Sequence, residues 1–268
     1  MRPQKTERFL ILSEARTGST MLRRMLNSHP GICCHGEIFA IEIWGLQGYV
    51  GADDQVDLND PRYQEAKRLR ENDPARFLRE AVWPAGPPPV GAKILYNDLE
   101  DPKWRAAYDA VRADRDIRIV HLSRENRLKR LISQTAMNQG HRYIAYETHS
   151  IRLRPNGRPE AVPKQNESPV RLTLNPKECL EDFRRVEEAE NRIRRAFQGH
   201  PVFEATYEKI VDPSTRQLEK LQEFLDVRPC ELRSGTLKVH SDNVRDILEN
   251  LEELQAFFQG TPYERFFV

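Results

Sequence analysis

Arg8-Phe-Leu-Ile-Leu-Ser-Glu14 runs directly into Ala15-Arg-Thr-Gly-Ser-Thr20. The first stretch is a short apolar run without polar alternation, which predicts a strand buried on both faces, as in a parallel sheet. The second is a polar turn around Gly18. Met21, Leu22, Met25 and Leu26 then recur at helical spacing, and Asn27-Ser-His-Pro30 ends the helix. The chain therefore opens as strand, phosphate-sized loop and helix.

Buried-type strands are also expected at 31–34, 92–95, 117–122 and Val202–Thr206. Helical text separates them. The longest stretch is 173–197, with Leu180, Phe183, Val186 and Ile193 as its apolar positions, and further amphipathic helices are expected at Gln217–Phe224 and 244–258. Alternating β and α elements imply a three-layer α/β/α fold around a central, mostly parallel sheet, P-loop-like in its opening unit. We expect a single domain over 1–268, with irregular insertions near 40–90 and 140–170. Within these, 45–61 is rich in Gly and Asp, 83–89 is a stiff Pro-rich connector, and 143–168 lacks clear periodicity. A substrate lid and a plain surface excursion fit these stretches equally.

Lys and Arg number 42 against 41 Asp and Glu, a net charge of +1. That balance speaks against a general nucleic-acid binder, whose footprint is a basic excess. The four cysteines, Cys33, Cys34, Cys179 and Cys230, form no C-x-x-C pair and suggest reduced thiols. Cys33 and Cys34 are expected to point to opposite faces of a strand. The apolar run 9–12 is too short for a signal segment or a membrane span. A soluble, cytoplasmic protein is the expectation.

A strand, a Gly-containing loop and a helix make an anion pocket, because backbone N–H groups and the helix dipole meet at the helix start. Gly18 lets the backbone approach closely. Thr17, Ser19 and Thr20 can cap the helix or donate hydroxyl hydrogen bonds, and Arg16 adds a guanidinium fork suited to phosphate or sulfate. The full G-x-x-x-x-G-K-[ST] pattern is absent, which argues against an ATP- or GTP-dependent enzyme. A second cationic rim is expected where the strand at 117–122 leads into Arg124, since ligands of open α/β sheets sit beyond the carboxyl ends of strands. Ser133, nine residues on, can lean toward the same anion. Arg127, Lys129 and Arg130 read as a solvated helix face. Two cationic rims suit a ligand with two anionic ends.

Together, 9–20, 120–124 and Ser133 resemble the 3′-phosphoadenylyl sulfate (PAPS)-dependent sulfotransferases. The first segment is similar to the family's 5′-phosphosulfate loop, and the second to its 3′-phosphate site of one Arg and one Ser. Tyr207-Glu-Lys-Ile-Val-Asp-Pro213 resembles the segment whose Tyr touches adenine. Gly260-Thr-Pro-Tyr263 resembles the bacterial trehalose-2-sulfotransferase-like and nodulation-factor branch. Arg16 stands where the cytosolic eukaryotic enzymes have Lys. Their Arg-Lys-Gly loop is missing, and Lys238 is the nearest cationic candidate for the 3′-phosphate. The resemblance implies PAPS as donor, adenosine 3′,5′-bisphosphate (PAP) as product, a hydroxyl-bearing small-molecule or carbohydrate acceptor, and no metal. Homodimers occur among the bacterial relatives.

Sulfuryl transfer needs positioning, cationic stabilisation of the leaving phosphate, and a base. Glu37, in Cys34-His-Gly-Glu-Ile-Phe39, matches the family's acidic base, and burial is expected to raise its pKa toward neutrality. His35 is the rival. Trp44, Tyr49, Trp83, Tyr96 and Tyr143 could form an acceptor platform or simply pack in the core. Two other functions are open: an NTP-dependent kinase of the P-loop class, and a non-catalytic nucleotide- or glycan-binding module.

Overall fold

The computed structural model describes residues 7–43, 45–46, 59–84, 89–146, 149–153, 159–163, 170–237 and 243–267. In chain order the elements are β1 (Arg8–Ser13), α1 (Ser19–Asn27), β2 (Cys33–Glu37), α2 (Pro61–Asn72), α3 (Pro74–Phe77), β3 (Val90–Leu95), α4 (Tyr96–Glu100), α5 (Arg105–Ala113) and β4 (Arg118–Ser123). Then come α6 (Arg127–Asn138), β5 (Arg142–Tyr146), β6 (His149–Leu153), β7 (Pro159–Pro163), α7 (Pro176–Ala196), β8 (Val202–Thr206), α8 (Tyr207–Val211), α9 (Gln217–Phe224), β9 (Thr236–Leu237) and α10 (Leu251–Phe258). Two compact units divide the chain, one of residues 1–123 and 189–234, the other of 124–188 and 235–268.

The first unit holds a five-stranded sheet in the order β2-β3-β1-β4-β8, with every pairing parallel. β1 lies at its centre, and Phe9 to Leu12 are fully buried, as a strand covered on both faces requires. Alternate residues feed two cores. Leu10 and Leu12 pack with residues of α2, α3, α5 and α7, whereas Phe9 and Ile11 pack with Leu22 and Leu26 of α1 and Leu221 of α9. These are the three layers the sequence implies. Cys33 and Cys34 divide between the same two cores, as expected.

In the second unit, Leu128 and Ile132 of α6, Phe183 of α7 and Phe258 of α10 share one core. Tyr263, in the Gly260–Tyr263 tail, packs against that core and donates its hydroxyl to Glu187 at 2.9 Å. A four-stranded antiparallel sheet, β7-β6-β5-β9, belongs to the same unit. Within 143–168, it corrects the irregular reading at 143–146, 149–153 and 159–163. Pro159 and Pro163 stand at the two ends of β7, an edge strand, where a missing N–H is tolerated.

Three smaller expectations also change. The helix expected over 173–197 begins at Pro176, because the Asn175 side chain accepts from the backbone N–H groups of Lys177 and Glu178. That expected over 244–258 is interrupted. Leu172 accepts from the N–H of Glu249 and donates to the carbonyl of Ile247, so α10 starts only at Leu251. Arg130 is not on a solvated face: it is 1% exposed and paired with Asp182.

Candidate active site

The turn from β1 to α1 has two residues in left-handed backbone, Arg16 at φ +66° and Gly18 at φ +84°. Alternating backbone of this kind curls successive N–H groups into an anion-binding concavity. Thr17 steadies the turn by donating its hydroxyl to the Glu14 carbonyl at 2.9 Å. Gly18 is the N-cap of α1, and no side chain caps that helix start. Of the two expected uses of the hydroxyls, capping is therefore not the one found. The ring of Tyr207, which opens α8, lies directly over the turn: a Cβ placed on Gly18 would stand 2.5 Å from Tyr207 Cδ2.

Glu37 is the last residue of β2, and a bulge decides where it points. In the β2–β3 register, His35 opposes Ala92 and Glu37 opposes Lys93, with Gly36 as the extra residue. A one-residue insertion moves the following side chain to the other face. Glu37 thus joins Lys93 on the α1 side of the sheet. Lys93 Nζ donates to Glu37 Oε1 at 2.5 Å and to Thr20 Oγ1 at 3.0 Å. The Lys93 side chain is only 5% exposed and that of Glu37 28%.

This environment overturns the expected direction of the Glu37 pKa. Burial does push its carboxyl up, but the Lys93 ammonium, aided by Arg16 and Arg23, more than offsets burial and holds it below the ordinary glutamate value. Asp98, in the first turn of α4, is pushed up to about 6 by burial and by the neighbouring Glu37 charge.

The segment after Glu37 is clamped from α2. Arg70, fully buried beneath the ring of Trp104, donates to the carbonyls of Ile38, Ala40 and Ile41 at 3.0, 2.8 and 3.2 Å. The Glu42 carboxylate accepts from Tyr63 and Lys67 at 2.6 and 2.7 Å. Both ends of this short loop are fixed, so Glu37 sits on a rigid support.

His35 lies in a different setting. It is 3% exposed, and its Nε2 donates to the Val82 carbonyl at 2.9 Å. Burial pushes its imidazole down to about 4, which keeps it neutral. Trp83 and Tyr96 are core residues rather than a platform, and the Tyr96 hydroxyl is 2.7 Å from His121 Nε2. Tyr143 lies on β5, and Trp44, Tyr49 and Lys238 are outside the described residues.

The structure thus brings Arg16, Thr17, Gly18, Ser19, Thr20, Glu37 and Tyr207 together in the first unit. Arg124 opens the second unit directly after β4, and Ser133 is buried on α6 of that unit. Sequence reasoning missed Lys93 and Arg23. The available signal was a cation inside apolar text, Ala92-Lys-Ile-Leu95, since a lysine there must find a partner.

Residues 8–230 match the profile of the sulfotransferase family. Nodulation protein H of Rhizobium tropici is 26% identical over 271 residues, which span 97% of this chain and 93% of that protein. The crystal structure of a sulfotransferase from Alicyclobacillus acidocaldarius aligns with a TM-score of 0.46 at 19% identity, covering 96% of this chain and 92% of that one. A mouse sulfotransferase complexed with PAP aligns with a TM-score of 0.41 at 12% identity, covering 98% of this chain and 76% of that one. Among the described residues, no helix is long and apolar enough to cross a membrane.

Proposed function

The chain belongs to the sulfotransferase family, and we propose that this enzyme uses PAPS as donor and sulfates a hydroxyl of a small-molecule or carbohydrate acceptor. One observation carries the reading. A single ammonium, Lys93 Nζ, joins Thr20 at the start of α1 to Glu37. The anion-binding turn and a carboxylate able to take a proton therefore meet at one charge. A side chain at Gly18 would collide with Tyr207, so the backbone of the turn stays bare there.

In this reading, backbone N–H groups of residues 16–20, with Arg16, hold the 5′-phosphosulfate and stabilise the charge that grows on the leaving phosphate. Removing one such donor costs on the order of 3–4 kcal/mol in catalysis. Arg124 and Ser133 hold the 3′-phosphate, with Lys238 as the further cation, and Tyr207 contacts the adenine. Glu37 accepts the acceptor's hydroxyl proton, a role worth roughly 10²–10⁴-fold in rate. His35 is the weaker candidate, because its Nε2 is engaged by Val82 and Glu37 shares the loop's side of the sheet.

A thermal-shift comparison tests the donor class. At about 100 times its Kd, a ligand of the folded state adds about 2.7 kcal/mol of stability. For a chain of this size that raises Tm by roughly 5–10 °C. PAP should produce this rise and ATP with Mg²⁺ should not; a rise with ATP–Mg²⁺ alone would overturn the reading in favour of a kinase.

A further inference from the structure

The base assigned above is poorly prepared for its task in the free protein. The Lys93 ammonium, 2.5 Å from Glu37 Oε1, occupies that oxygen and offsets the carboxylate's charge. Among the described residues, charged groups facing Glu37 are Lys93 from β3, Arg16 from the loop, Arg23 from α1 and Asp98 from α4. Three are cations, and Lys93 donates a hydrogen bond to Glu37. That same Nζ is within hydrogen-bond reach of Thr20, at the start of α1 where an anion would sit.

We propose that Lys93 is a positioning residue that keeps Glu37 engaged until the sulfonate of the donor competes for its ammonium, so that the base is released only when there is a sulfuryl group to transfer. The proposal rests on the PAPS reading above and deepens it. A sulfonate beside Thr20 offers Lys93 a second anionic partner. As Lys93 turns to it, Glu37 Oε1 is freed. The freed carboxylate takes the acceptor's proton while the acceptor oxygen forms its bond to sulfur. The bond from sulfur to the bridging oxygen breaks, and that oxygen leaves with the electron pair on PAP. The proton on Glu37 then passes to water.

The test reads Glu37 directly and needs no acceptor. Protein labelled with ¹³C at the glutamate carboxyls is titrated by NMR, and the Glu37 signal is identified by its loss in Glu37→Gln. The titration is run on the free protein, with PAP, and with PAPS, which alone carries the sulfonate. In wild type, PAPS should move the Glu37 midpoint upward by more than PAP does. In free Lys93→Met the midpoint should already lie about 1–3 pH units above wild type, and the difference between PAPS and PAP should shrink. Equal midpoints with PAPS and PAP in wild type would overturn the proposal, with no variant required. An undiminished difference in Lys93→Met would also overturn it, and would move the role to Arg16. If neither nucleotide shifts Tm, it is the PAPS reading itself that fails.

Discussion

Replacing Gly18 by alanine probes the geometry of the anion-binding turn. The residue sits at φ +84°, a region that costs an L-residue about 1–2 kcal/mol. Its new Cβ would also stand 2.5 Å from Tyr207 Cδ2 and 3.0 Å from Cε2, so the ring must move. Overpacking of this kind costs roughly 1–3 kcal/mol. The sum, about 2–5 kcal/mol, should appear in urea denaturation as a lower midpoint with an unchanged slope. The two parts can be separated. Tyr207→Ala in the Gly18→Ala background removes the clash but not the backbone strain, so the double variant should be about 1–3 kcal/mol more stable than the two single effects predict when added. PAP affinity should fall in Gly18→Ala, because the displaced turn misdirects its N–H groups. Strict additivity, or a Gly18→Ala protein within about 0.5 kcal/mol of wild type, would refute the argument that the ring and the turn are in contact.

Other expectations follow from single observations. Arg70→Met leaves three loop carbonyls without their donor and should destabilise by about 3–5 kcal/mol, with faster amide exchange at 38–43 as the local sign. His35 has its pKa pushed down by burial from 6.5 to about 4, so the stability tied to its neutral form is complete above pH 6.5. It is lost as pH falls toward 4, by up to roughly 3 kcal/mol; stability curves at several pH values should show His35→Gln with a flatter fall over that window. Arg124→Ala should weaken calorimetric binding of PAP far more than that of its 3′-dephosphorylated analogue, and equal losses would remove Arg124 from the 3′-phosphate role.

The opening unit was legible because its signals are local. A strand buried on both faces must be apolar at every position, and 9–12 is. The glycine of a tight turn announces itself, and Tyr207 follows its strand just as Arg16 follows β1. The Lys93–Glu37 pair was not legible, since it depends on a bulge at Gly36 that no periodicity rule reveals. The expected upward shift of Glu37 failed for the same reason: burial was foreseen, and the cation facing it was not. The β5–β7 sheet was hidden because its short strands carry no clear periodicity. Arg130 was hidden by its neighbours Arg127 and Lys129, which made a buried ion pair look like a charged surface.

On this proposal, Glu37 removes the acceptor's proton in a transfer from PAPS. The most direct measurement supplies [³⁵S]PAPS and a metabolite extract to wild type and to Glu37→Gln, with PAP affinity measured on both proteins. Wild type should give a labelled product and Glu37→Gln a rate lower by roughly 10²–10⁴-fold, at nearly equal PAP affinity. Equal transfer by the two proteins would contradict it.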